Sequence, residues 1–177
     1  MRRRKRLSCQ GMFPVRRAGK ILLAELKRMW RDPQISKEDN IKVPETIEEA
    51  FAEAVTLHRG GNLEEAEDLY RVVLDADPEH ADATNLLGVL AADQGYHDDA
   101  VDLIGQAIGY QPENPFYFFS LGNVFMCQDL YEDAVVCYEQ SLELDPKQGV
   151  ANQNLAAMLR HQGNFEEAER ACARALE

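Results

Sequence analysis

A 34-residue interval recurs along this chain, and few folds accept such a pattern. Residues 81 to 114 place Gly88, Gly95, Ala100, Ala107 and Pro112 at fixed offsets. Residues 47 to 80 repeat the offsets as Ala54, Gly61, Ala66 and Pro78, and residues 115 to 148 as Gly122, Asp129, Ala134 and Pro146. From 149 to 177 they return as Ala156, Gly163, Ala168 and Ala175. A period of about 20–50 residues signals a stacked array built from one supersecondary unit.

Each offset has a physical reason. Apolar residues follow helical spacing on both sides of the Gly61/Gly95/Asp129/Gly163 position, as in Leu87-Leu90-Ala91 before it and Ala100-Leu103-Ile104 after it. The position between them requires a left-handed backbone, which glycine adopts freely and Asp129 at modest cost. Ala54, Gly88, Gly122 and Ala156 fall where two antiparallel helices approach most closely, as do the alanines at 66, 100, 134 and 168. Pro78, Pro112 and Pro146 are expected to stop each second helix and to pre-set the start of the next. Thr46 followed by Glu49 is a capping signature that starts the first repeat helix. Helix breaks are expected near residues 61, 78, 95, 112, 129, 146 and 163. The units are then 47–80, 81–114, 115–148 and 149–177.

The unit resembles the tetratricopeptide repeat, in "LLGVLAADQGYHDDAV", "SLGNVFMCQDLYEDAV" and "NLAAMLRHQGNFEEAE". The resemblance covers residues 47 to 177 and implies an all-α, right-handed superhelical solenoid of four antiparallel helix pairs. The arrays that precede bacterial O-linked sugar transferases are similar in "NLEEAEDLYRVVLDADPEHADATNLLGVLA". Those arrays carry an asparagine before the Leu-Gly pair; Asn154 matches it, whereas Ala52, Leu86 and Ser120 depart. Chaperone-binding members clamp a terminal carboxylate with Lys and Asn, but Phe51 and Val55 stand at the corresponding places here.

Charge divides the chain. Residues 1 to 31 hold 11 Lys and Arg and one acid, Glu25, whereas the remainder holds 8 basic and 30 acidic side chains. The array therefore lacks the clustered cations that bind nucleic acid. Residues 16 to 31 read as a basic amphipathic helix, with Leu22, Leu26, Met29 and Trp30 on one side. Three readings stay open: a weak contact with a membrane surface or an acidic partner, a basic tail without fixed structure, or sequence upstream of a start at Met12 or Met29. Residues 32 to 46 are a polar linker with two prolines. Nothing in the first 15 residues forms a signal-peptide core, and Cys9, Cys127, Cys137 and Cys172 show no disulfide or metal spacing. A reduced, cytoplasmic chain is the expectation.

No enzyme is expected, and no cofactor or metal. The carboxylate pairs Glu64/Glu65, Asp98/Asp99, Glu132/Asp133 and Glu166/Glu167 are adjacent in sequence, so they diverge by about 100° on a helix. They recur where a second helix begins, a place the helix dipole favours. The four histidines lack HExxH spacing, and no GxGxxG, GxxxxGK[ST] or GxSxG occurs.

Binding remains. By the resemblance, first helices line a concave peptide groove with Phe51, Val55 and Arg59 from the first unit, beside Glu48 and His58. The second unit supplies Asn85 and Val89, with Asp82 and Asp93, and the third Phe116, Phe119, Asn123 and Met126. The fourth supplies Gln153 and Arg160, with Ala157 and His161. Asn85, Asn123 and Gln153 are expected to hold a peptide backbone, and the aromatics either to contact a partner or to fill space between helices.

The expected function is a protein-interaction scaffold for a protein or peptide partner. The alternative is a partner-recruiting module of a larger glycosyl-, methyl- or sulfotransferase. Self-association through an open C-terminal end is also expected, with Met158, Cys172, Ala175 and Leu176 at that end.

Overall fold

The computed structural model describes residue 44 and residues 46–175. The basic segment 1–31 lies outside the described residues, as do Leu176 and the linker apart from Pro44 and Thr46.

Among the described residues eight helices follow one another: α1 (Ile47–Arg59), α2 (Leu63–Ala76), α3 (Ala81–Asp93), α4 (His97–Tyr110), α5 (Pro115–Cys127), α6 (Tyr131–Leu144), α7 (Gly149–His161) and α8 (Phe165–Arg174). All seven expected breaks fall in the connectors between them. Each helix packs on its neighbours in the chain, and α3 also touches α5. The array is thus four hairpins stacked side by side, with local contacts dominating.

Every first helix ends in the same way. Gly61, Gly95, Asp129 and Gly163 have φ of 81°, 84°, 60° and 81°. The next amide turns back onto the helix: Asn62 N donates to Leu57 O, Tyr96 N to Ala91 O, Leu130 N to Phe125 O and Asn164 N to Leu159 O, at 2.8–3.0 Å. These are Schellman closures, which satisfy carbonyls that the helix end leaves open. The tight turn then brings the second helix back along the first.

Close approach explains the small residues. A Cβ added at Gly88 would lie 2.8 Å from Ile104 Cγ1, and one at Gly122 would lie 2.8 Å from Tyr138 Cε1. Ala54, Ala66, Ala100 and Ala134 have no exposed surface, and Ala156 and Ala168 almost none. Around them lie the buried side chains of the core, among them Leu69, Tyr70, Leu90, Ile104, Val124, Tyr138, Leu155 and Leu159.

The prolines do something narrower than expected. Pro78, Pro112 and Pro146 do not stand at the start of the following helix. Each is the second residue of a four-residue turn closed by His80 N to Asp77 O, Asn114 N to Gln111 O, or Gln148 N to Asp145 O. Their fixed φ suits that turn position, and they hold Asp77, Gln111 and Asp145 out of helical geometry. Helix starts depend on other groups. Thr46 Oγ1 accepts from Glu49 N, His80 Nδ1 from Ala83 N and Asn114 Oδ1 from Phe116 N, with Pro115 in the first turn of α5.

Met158 is a second correction. It does not lie at an open end but packs, 8% exposed, into the cluster of Ala134, Tyr138, Leu155, Ala168 and Ala171. Its position on α7 faces the neighbouring helices α6 and α8 rather than solvent. Cys172 is exposed.

Candidate peptide-binding groove

The residues expected to line a groove stand at equivalent places on α1, α3, α5 and α7, and the structure distributes them unequally. Phe51 is half-buried, its ring centroid 4.9 Å from that of His80 and 6.2 Å from that of Tyr70. Val55 and Val89 are half-buried, and Val89 packs against the core. Arg59, Gln153 and Arg160 are exposed. Asn85 is 5% exposed, with its Oδ1 enclosed and without a partner among the described residues. Solvent does not reach it as it reaches Gln153.

The two phenylalanines of α5 separate. Phe119 is half-buried, its ring 5.9 Å from that of Tyr138, and it serves partly as core. Phe116, one turn earlier, is 61% exposed. Next to Phe119, Asn123 Oδ1 accepts from Tyr138 Oη at 2.7 Å and from Asn154 Nδ2 at 3.1 Å. Asn154 Nδ2 also reaches Tyr138 Oη at 3.3 Å, and Tyr138 Oη lies 3.8 Å from Met126 Sδ. Asn123, Met126 and Asn154 thus meet at one node held by a tyrosine whose side chain is fully buried. Burial raises that phenol to about 12, against a smaller opposing effect of the hydrogen bond from Asn154.

Asn154 was absent from the expected groove set. Its place before Leu155 was visible in the sequence, but its bond to a residue 31 positions away depends on how α7 lies beside α5.

The first two units use the equivalent space differently. His58 Nδ1 lies 3.2 Å from Tyr70 Oη, and its Nε2 lies 3.4 Å from Asp93 Oδ2. Asp82 Oδ1 accepts from Tyr117 Oη at 2.7 Å, which ties the second unit to the third. Burial, and then that carboxylate, raise the Tyr117 phenol. Glu48 is held below its ordinary value by a backbone hydrogen bond and by Thr46.

The carboxylate pairs all fall in the first turns of α2, α4, α6 and α8. Among the described residues, no three His, Cys, Asp or Glu side chains converge on a metal-sized site. The buried Cys137 thiol is raised to about 11, chiefly by burial, which disfavours a reactive thiolate. No described helix is long and apolar enough to cross a membrane.

Sequence models of the tetratricopeptide repeat match residues 51–117, 115–148 and 137–170, so that together they span the helical array. The chain belongs to the tetratricopeptide repeat family. Protein O-mannosyl-transferase TMTC1 of Homo sapiens is 31% identical over 148 residues, which are 81% of this chain and 17% of that protein. The mouse protein of the same name is 29% identical, over 75% of this chain and 14% of its own length. The chain therefore spans less than a fifth of the curated relatives it matches first. A crystal structure of MamA superposes with a TM-score of 0.68 at 19% identity, covering 87% of this chain and 84% of that one. A mutant O-GlcNAc transferase of Thermobaculum terrenum gives 0.63 at 26% identity, over 70% of this chain and 26% of that one. The tetratricopeptide fold here is the right-handed solenoid that the repeat implied.

Proposed function

We propose that this tetratricopeptide array is a non-catalytic interaction module that holds an extended peptide segment of a partner protein along its first helices. The node of Asn123, Asn154 and Tyr138 carries the reading. Both amides are fixed by a buried phenol, while Asn123 Nδ2 and Asn154 Oδ1 have no protein partner among the described residues. An amide NH2 and an amide carbonyl thus remain, the complement of a peptide group. Phe119 and Met126 supply apolar surface on the same first-helix face, the composition of a contact site.

A photo-crosslinking residue placed at Phe119 should capture partner peptides in cells, whereas one at Asp102 on α4 should not. Asn123→Ala should reduce the captured amount several-fold with helicity unchanged. A footprint confined to the second helices would overturn the reading.

A second reading, that the array recruits substrates to a transferase, is favoured by its likeness to TMTC1 and to the O-GlcNAc transferase. A reading frame that continues from Glu177 into a transferase domain would support it, and a stop codon there would sink it. The basic residues 1–31 are a further proposed contact, with a membrane surface or an acidic partner. Liposome flotation with and without them tests it, and equal flotation removes it.

A further inference from the structure

The groove changes chemistry halfway along. Of the 25 carboxylates between residues 46 and 175, five stand on first helices, and all five belong to α1 and α3: Glu48, Glu49, Glu53, Asp82 and Asp93. Helix α5 carries no charged residue at any of its 13 positions, and α7 carries only Arg160 and His161. At equivalent places at the start of these two helices, Phe116 is 61% and Val150 60% exposed. Of the eight large apolar side chains exposed among the described residues, these are the two on first helices, and the helices that bear them hold none of the 25 acids.

We infer that the half of the groove over α5 and α7 binds an apolar peptide segment carrying one acidic side chain, which is set against Arg160. The inference rests on the groove reading above and names the partner chemistry. Apolar side chains dock where no ion must be stripped of water, and α5 meets that condition along its whole length. An acidic side chain is repelled by most of this body and is admitted where a cation stands apart from carboxylates. Arg71 and Arg170 are engaged by Glu67 and Glu166, at 2.7 and 3.8 Å. Arg160 is exposed, has no such partner among the described residues, and shares its helix with no acid.

The dimensions agree. Arg160 lies one repeat beyond Met126, at the opposite end of the helix face from Phe116 and Val150. Ten helical residues separate Phe116 from Met126, about 15 Å at ~1.5 Å each. About five extended peptide residues cover that distance, and Asn123 falls within it, seven residues from Phe116 and three from Met126.

The test is an array of random heptapeptides probed with the full chain and with the variants Phe116→Ala, Arg160→Gln and Glu53→Gln. Bound peptides should be rich in aromatic and aliphatic residues, should carry Asp or Glu, and should be poor in Lys and Arg. Replacing that peptide acid by its amide should weaken binding by about 3–5-fold, the size of a partly exposed ion pair. The effect should vanish in Arg160→Gln. Phe116→Ala should weaken binding by about 5-fold or more, and Glu53→Gln should leave it unchanged.

Selection of Lys- and Arg-rich peptides would overturn the inference. Binding that ignores Phe116→Ala and Arg160→Gln would overturn it too, and would include acidic peptides held only by residues 1–31. Peptides lost with Val55→Ala instead would leave the groove reading standing and this inference fallen. An array with no bound peptide would sink both.

Discussion

Tyr70 and Tyr138 stand 68 residues apart, at the same place in the first and third units, and both are fully buried. Their hydroxyls meet different neighbours. Tyr70 faces His58, which reaches Asp93 of the next unit, so the polar capacity at that end goes into joining two units. Tyr138 meets Asn123 and Asn154, which join the third unit to the fourth yet leave one amide NH2 and one amide carbonyl without a partner among the described residues. One repeat framework thus produces a closed joint and an open one. Two asparagines on the first helices make the difference, since an amide has more bonding positions than the joint consumes.

High pH should disturb both halves most. Burial raises Tyr70 and Tyr138 from 10 to about 12. A raised phenol contributes stability that is fully present below its unfolded value, near pH 10, and lost as pH climbs towards 12. Each tyrosine should account for up to about 2–3 kcal/mol of that loss. Chemical denaturation at pH 8, 10 and 11.5 measures it. Tyr70→Phe and Tyr138→Phe should each flatten the alkaline slope by a similar amount. If only one did, the two sites would not share an environment.

A smaller effect separates the units. Gly122→Ala would press a methyl group against the Tyr138 ring, from 2.8 Å, and disturb the open joint. Overpacking minus the helix propensity gained should leave a loss of about 1–2 kcal/mol. Unit one carries Ala54, fully buried, at the place of Gly122, so that unit accommodates the methyl. A thermal melt of Gly122→Ala that matched the parent would show that α5 and α6 adjust as freely.

The smallest effect is the sharpest. At neutral pH Tyr138→Phe should cost about 0.5–1.5 kcal/mol for the lost hydrogen bonds, and Tyr70→Phe about the same. Peptide affinity should fall in Tyr138→Phe alone, because only there does the phenol hold groups that a ligand would use. Equal loss of affinity in both would end the distinction between the joints.

These contrasts also show where sequence reading stops. The left-handed positions, the tight contacts at Gly88 and Gly122, and all seven breaks were legible, because each depends on backbone conformation or on space within one hairpin. Asp129 could be placed beside three glycines for that reason. The fates of Phe116 and Phe119 were not. They sit three residues apart on one helix, and only the neighbouring side chains decide that one is covered and the other exposed. The burial of Asn85 and the pairing of Asn123 with Asn154 likewise depend on the angle between hairpins, which no single unit encodes. The prolines misled because a turn position and a helix start lie only three residues apart.

The three joints lead further. Among the side-chain bonds between units, His58–Asp93 joins one to two, Tyr117–Asp82 two to three, and Asn154–Asn123 three to four. Repeats of one length and one fold would otherwise be interchangeable links, free to be duplicated, lost or shuffled by recombination. Here each link has its own lock and key. By the repeat register, a chain with its second and third units exchanged would set His58 against Cys127 and Asn154 against Val89, and would turn Tyr117 towards Glu48. Such a chromosome-level rearrangement would keep the reading frame and every helix, yet break two of the three couplings and hand the third to a different carboxylate. The order of the repeats is therefore itself inherited information, guarded by a handful of side chains at the seams.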